Sequence, residues 1–305
     1  MIKISNKSPL VLTHESSDYL NLIELLNEAT LNSIPVPFEF YNSENYKTQN
    51  YLRKIYPSKV LSSNQNIKLE LIKFAKNIEL FLKEIKLSLQ FENYNLQNNL
   101  KYILRVRLFQ DEEGFNLAPH KDSPDTVMSF ICQLDKTNEL TSIYKLKENY
   151  TIKKIGVDVT ETLLNKIINK LYPKINLIFT TSQFTKSLGA YSECGKFFEL
   201  KINKDDYCLN EYVEEKLKIS YGSIYGIHNT QKNLFQSDQY EENNEKYYHG
   251  VYPINSKKRK ILILDLLAAK ANSEVLIIEG VGKDLYSYYV LFSSEKNILF
   301  NSILK

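Results

Sequence analysis

Apolar residues of this chain recur at helical spacing in its first third and at strand spacing, or in solid runs, through most of the rest. Between residues 64 and 92, Ile67, Leu71, Phe74, Ile78, Phe81, Ile85 and Leu89 make one stripe with lysines opposite, which predicts a long amphipathic helix. Residues 15 to 30 predict another: Ser16 or Ser17 can cap it, Leu20, Ile23, Leu26 and Leu31 recur near a helical period, and Pro35 and Pro37 end the segment. The period changes at Tyr102 to Phe109, where Tyr102, Leu104, Val106 and Leu108 alternate with Arg105 and Arg107 as in a strand. Val127 to Leu134, Thr141 to Tyr144 and Ile224 to Ile227 continue the strand-like runs. Arg259 to Leu267 is apolar on both faces, as a buried strand of a sandwich would be, and Glu274 to Glu279 and Ser287 to Phe292 add short strands around Gly280 and Gly282. A further helix is expected where the capping box Asp158 to Glu161 precedes Leu163, Leu164, Ile167, Ile168 and Leu171 and Pro173 stops the run. Asn229 to Tyr248 reads as a polar loop.

Composition narrows the class without naming it. A chain of 305 residues, 43% hydrophobic and 25% charged, has ample material for a buried core. Its net charge of +3 is too mild to imply a nucleic-acid partner, and the run Lys257-Lys258-Arg259-Lys260 reads, for its lysines, as a solvated hairpin tip. No segment has the uninterrupted apolar length of a signal peptide or membrane span, so the expectation is a cytoplasmic protein with no membrane partner. Cys132, Cys194 and Cys208 are too few and too irregularly spaced for a disulfide framework or zinc site, and Cys132 falls in an apolar strand where it packs. Abundant Asn, Lys and Ile with no Trp fits the bias of an AT-rich, bacterial genome.

Candidate chemistry sits in the histidines, of which there are four, at 14, 120, 228 and 249. His120 belongs to Leu117-Ala118-Pro119-His120-Lys121-Asp122, a His-x-Asp on a turn between two strand-like runs, which aims an imidazole and a carboxylate at one point. These are two-thirds of a facial site of two histidines and one carboxylate for non-haem iron(II). His249 opens His249-Gly250-Val251-Tyr252-Pro253-Ile254, with Arg259 ten residues on at the start of the next strand. His228 is the rival, but ten residues beyond it stands Asp238 rather than a base, and His14 precedes the core.

His-x-Asp, then a distant His-Gly-Val-x-Pro-Ile, then an arginine resembles the iron(II)- and 2-oxoglutarate-dependent dioxygenases, in particular their prolyl-hydroxylase-like branch. The resemblance implies that His120, Asp122 and His249 hold iron(II), with positions open for the chelating oxygens of 2-oxoglutarate and for O2. It implies that Arg259 pairs with the far carboxylate of 2-oxoglutarate, a contact suited to a planar guanidinium. Thr141 and Tyr144 match a strand that borders the cosubstrate pocket in relatives, although Leu140 stands where they carry glycine, and ordinary strand filling is the competing reading. Arg105 and Arg107 either line the mouth and bind an acidic group, Arg107 as a cosubstrate contact, or form a solvated outer face.

The fold it implies is mainly β with flanking helices: a double-stranded β-helix, or jelly roll, with residues 1–94 as a helical support layer and 95–305 as the oxygenase domain. Asp122 and His249 lie 127 positions apart, more than a minimal barrel needs, which places a partly helical insertion at about 145–215. The expected reaction hydroxylates an unactivated C–H bond while 2-oxoglutarate is decarboxylated to succinate, and a retained carboxylate at 122 argues against halogenation. The alternative is a cupin-like or degenerate jelly-roll protein that binds metal or sugar without 2-oxoglutarate turnover, and a structural protein with incidental histidines would bind no iron at all. Small metabolites, glycan sugars and peptidyl side chains all stay open as substrates, and so does the oligomeric state.

Overall fold

The computed structural model describes residues 2–4, 11–15, 19–37, 52–88, 100–115, 117–120, 126–136, 141–146, 175–179, 207–209, 221, 223–228, 247–251, 254–270, 274–278, 287–291 and 298–300. They form a largely antiparallel β structure with helices on one side. The strands of the first half are β1 (Ile2–Ile4), β2 (Val11–Glu15), β3 (Val36–Pro37), β4 (Arg53–Ile55), β5 (Leu100–Glu112), β6 (Leu117–His120), β7 (Thr126–Gln133) and β8 (Thr141–Leu146). Those of the second half are β9 (Ile175–Phe179), β10 (Tyr207–Leu209), β11 (Ser223–His228), β12 (Tyr247–Val251), β13 (Lys258–Lys270), β14 (Glu274–Ile278), β15 (Tyr288–Leu291) and β16 (Ile298–Phe300). The helices are α1 (Leu20–Leu31), α2 (Lys59–Ser62) and α3 (Gln65–Ser88).

The large sheet runs β1-β2-β11-β7-β13-β5-β4-β3, with β15 also on β5, and a four-stranded sheet runs β10-β8-β12-β6. A third sheet, β16-β14-β9, is parallel. From β5 to β8 the chain alternates between the large sheet and the four-stranded one, and from β10 to β13 it alternates again. Residues 1–94 are more than a helical layer, because β1 to β4 extend the large sheet at both edges.

Period-two alternation gives the large sheet two different faces. On one, Leu104, Val106, Leu108, Met128, Phe130, Cys132, Leu262, Leu264 and Leu266 pack with Leu22, Ile23 and Leu26 of α1 and Ile67, Leu71 and Phe74 of α3. Phe74 meets both Tyr19 and Phe130 edge to face with centroids 5.6 Å apart. The predicted stripe of α3 is thus buried as expected over Ile67 to Ile78, and burial pushes the Cys132 thiol up to about 12. Gly226 sits across from Phe130, where an added Cβ would lie 2.7 Å from the ring, so the close approach requires glycine.

The opposite face carries charge in ordered rows: Arg53–Asp111–Arg259, then Ile55–Phe109–Ile261–Gln133, then Arg107–Ile263–Ile131–Tyr225, then Arg105–Asp265–Ser129–Ile227. Two sequence expectations change here. Arg105 is buried rather than on a solvated face, and the strand Arg259 to Leu267 is not apolar throughout, because Asp265 lies on it at 2% exposure. Both faces of this sheet are covered, so a charged position on it cannot be assumed to face water.

The other predicted strands form, longer than expected at 100–112, 141–146, 223–228 and 258–270, shifted by one residue at 126–133, and shorter at 274–278 and 288–291. The helix expected within 158–171 lies outside the described residues, as does most of 145–215. Of the loop expected at 229–248, Tyr247 and Tyr248 belong instead to β12, and 229–246 lie outside the description. Among the described residues no helix is long and apolar enough to cross a membrane.

Candidate functional site

Two of the four histidines are register partners in the four-stranded sheet. β12 lies between β6 and β8, and its register places His249 directly opposite His120 on one side and Ile143 on the other. Opposed positions in an antiparallel pair have Cα atoms about 5 Å apart. His120 ends β6, an edge strand, which is where Pro119 can be tolerated without breaking a ladder. Leu117–His120 is therefore strand rather than turn, and Asp122, two residues further on, lies outside the described residues. Among the described residues no group of three or more His, Cys, Asp or Glu side chains is placed to hold a metal.

The other two histidines are elsewhere. His228 is in the large sheet opposite Met128, a residue of the core under the helices, and His14 is opposite Ile224 and Ile2 on β2. Neither shares a strand pair with His120.

His249 is 9% exposed, and the face it occupies is fixed by its neighbours. Thr141, Ile143, His249 and Val251 alternate onto one face of their sheet. Thr141 belongs to that face and accepts a 2.7 Å hydrogen bond from the Tyr225 hydroxyl of the large sheet. His249 therefore stands on the side of its sheet that looks toward the charged rows. Tyr144 takes the register position opposite Tyr248, one residue out of phase with Ile143 and His249.

Tyr225 was not anticipated. It is fully buried, and burial pushes its hydroxyl pKa up, opposed by the hydrogen bond with Thr141 and by the positive charge of Arg259. Tyr225 thus hydrogen-bonds Thr141 across the two sheets and feels the charge of Arg259. The available signal was a tyrosine in phase with Ile227 on a buried strand, since a buried tyrosine hydroxyl needs a partner.

Arg259 is where the arginine was expected, at the head of β13, and is 2% exposed. Its Nη2 donates to Asp111 Oδ2 at 2.6 Å and its Nε to the same oxygen at 3.2 Å. Arg53 grips the same carboxylate from β4, Nε to Oδ1 at 2.5 Å and Nη2 to Oδ2 at 2.9 Å. The Arg53 guanidinium lies over the Phe109 and Phe115 rings, 4.8 and 4.3 Å from their centroids. Burial pushes the Asp111 pKa up, but the charges and hydrogen bonds of Arg53 and Arg259 outweigh it and hold the carboxyl below its ordinary value. Asp111 reads from sequence as the start of a loop, yet β5 runs on through Glu112 and makes it the counter-ion of the row.

Arg107 and Arg105 belong to a second knot. Arg105 Nε and Arg107 Nη2 donate to Asp265 Oδ2 at 3.0 and 2.6 Å, and Ser129 Oγ donates to Oδ1 at 2.9 Å. The expected pocket contact at Arg107 is thus a guanidinium held by a protein carboxylate.

No protein family and no curated protein matches the chain. Solved structures do. One is the epimerase SnoN in complex with Fe3+, alpha-ketoglutarate and nogalamycin RO, at 8% identity and a TM-score of 0.43 over 85% of this chain and 80% of that one. Another is HygX from Streptomyces hygroscopicus with nickel, 2-oxoglutarate and hygromycin B, at 10% identity and a TM-score of 0.34 over 84% and 82%. EvdO2 from Micromonospora carbonacea var. aurantiaca, at 10% identity, has a TM-score of 0.35 over 88% and 95%. At such scores the likeness decides nothing about chemistry, which rests on the residues above.

Proposed function

We propose that this protein is a non-haem iron(II), 2-oxoglutarate-dependent oxygenase in which His120, Asp122 and His249 hold the metal. The single observation that carries the reading is the register of β6 and β12, which sets His249 opposite His120, two residues before Asp122, while leaving His14 and His228 in another sheet. Two imidazoles and one carboxylate are the donor set that suits iron(II) with open positions. Bound iron(II) would supply oxidation of a C–H bond by O2, with 2-oxoglutarate converted to succinate and carbon dioxide, hydroxylation being the outcome we assign.

We assign the barrel as a double-stranded β-helix, and the strand orders β11-β7-β13-β5 and β10-β8-β12-β6 support that assignment. Within it, Arg259 supplies positive charge for the far carboxylate of 2-oxoglutarate, and the hydroxyls of Thr141 and Tyr225 add hydrogen-bonding groups beside it. Buried Ile143, Ile131 and Val251 add apolar surface among the charged groups of these faces, and a low local dielectric strengthens a charge-assisted contact. Arg107 serves Asp265 in the barrel wall.

A second reading has one observation in its favour: Arg259 already faces the Asp111 carboxylate, so a metal-binding barrel of cupin type could hold this arginine without any cosubstrate. Turnover separates the two. With iron(II) restored and air admitted, the oxygenase reading expects succinate from 2-oxoglutarate, loss of it in Asp122→Ala and His249→Ala, and its persistence in His228→Ala. Loss in His228→Ala with retention in His249→Ala would show that the wrong histidine was chosen, and metal binding without succinate would favour the second reading.

A further inference from the structure

We infer that Asp111 is a positioning residue for the cosubstrate: it fixes the orientation of the Arg259 guanidinium, and Arg53 holds Asp111 in place to do so. The inference rests on the oxygenase reading above and goes beyond it, because it assigns a role to two residues that touch neither metal nor cosubstrate.

The three side chains lie in one cross-strand row on β4, β5 and β13, so their spacing is set by backbone hydrogen bonds rather than by flexible stems. Asp111 meets Arg259 through Nε and Nη2, one edge of the planar fork, and such contact fixes the plane and direction of the whole group. Arg53 engages both carboxylate oxygens and is itself seated over the Phe109 and Phe115 rings, which leaves Asp111 little rotational freedom. The turn after Asp111 is tied to the segment before Arg259: Gly114 N donates to Ile254 O at 2.9 Å and Ile254 N to Phe115 O at 3.0 Å. Gly114 adopts φ +83°, a conformation glycine takes without strain, so the chain can turn there and bring the two segments together. Sequence-distant parts of the chain therefore converge on one guanidinium. A carboxylate clamp works through orientation as well as charge, since its bidentate hydrogen bonds need an aligned fork.

The test is calorimetric binding, without oxygen, to the iron(II)-loaded protein of two ligands: 2-oxoglutarate, and 2-oxopentanoate, which keeps the oxo-acid head and carries a methyl group in place of the far carboxylate. Arg259→Ala is the reference variant and Asp111→Asn the decisive one, with thermal melting run alongside. Asp111→Asn is expected to weaken 2-oxoglutarate on the order of tenfold and to leave 2-oxopentanoate within about twofold. Equal weakening of both ligands, or of neither, overturns the inference, because a general structural defect has no reason to single out the far carboxylate. If Asp111→Asn does not fold, Arg53→Lys decides by the same selectivity, at about threefold, since lysine keeps the charge but loses the two-point grip. Failure of Arg259→Ala to weaken 2-oxoglutarate would instead remove the clamp itself, a separate failure of the parent reading.

Discussion

Two charged knots, each with two arginines around one aspartate, share strands β5 and β13 and are built differently. In the first, the carboxylate is on β5 at Asp111, and its arginines lie in straight register on both neighbours, β4 and β13. In the second, the carboxylate is on β13 at Asp265, both arginines come from β5, and Ser129 of β7 completes the set. The first is sealed, with Arg259 and Asp111 side chains 2% and 0% exposed, whereas the Arg107 side chain of the second keeps 19% of its surface in contact with solvent. A knot in which every member is buried gives each charge only its partner for compensation, while a half-open one can fall back on water. The difference teaches that an arginine's setting on such a sheet depends on which carboxylate holds it and how deeply the pair is buried. Arg107 shares the Asp265 carboxylate with Arg105 and Ser129, and Arg259 shares Asp111 with Arg53 while its charge reaches the Tyr225 hydroxyl.

The largest expected effect is on stability when either knot loses its carboxylate. Asp111→Ala leaves two guanidiniums buried around a missing counter-charge and is expected to cost about 3–5 kcal/mol in urea unfolding. Asp265→Ala is expected to cost less, because Arg107 can reach water. A larger loss from Asp265→Ala than from Asp111→Ala would break the ranking of sealed over half-open.

Acid sharpens the comparison. Asp111 has its folded pKa held below its ordinary value of 3.8, so its ion pairs contribute stability that is fully present above that value and is lost as pH falls through the folded value. Wild-type protein is therefore expected to lose stability below about pH 4 more steeply than Asp111→Asn does. Parallel curves for the two proteins would show that Asp111 is not held down. The smallest effect is expected at the neutral link between the sheets. Tyr225→Phe removes one hydroxyl-to-hydroxyl bond and should cost about 1 kcal/mol, measurable by the same unfolding curves. A loss as large as that of either aspartate would mean that charge is not what distinguishes the knots.

The part of this that sequence exposed was the part written locally. The stripe of α3, the strands at 126–133 and 258–270, and the two histidine motifs are each contained in a short run whose spacing carries the signal. The register of His249 against His120 adds what spacing could not, that the two motifs are neighbours. What stayed hidden was non-local. Arg53 lies 58 residues before Asp111, and Arg259 another 148 beyond it, so no window of sequence contains the row. Arg105 and Arg107 alternate in just the way that a solvated face would, and only their shared hydrogen bonds to Asp265, 160 and 158 residues away, reveal what holds them. Asp111 reads as the start of a loop because the acidic run Asp111-Glu112-Glu113 ahead of Gly114 has the composition of a turn.

The central claim is a metal held by His120, Asp122 and His249, and titration of metal-free protein with iron(II) and then 2-oxoglutarate, without oxygen, tests it most directly. Stoichiometric iron binding, a weak visible charge-transfer band on addition of 2-oxoglutarate, and loss of both in His249→Ala but not in His228→Ala are expected. Absence of iron binding, or binding indifferent to His249→Ala, would contradict the claim.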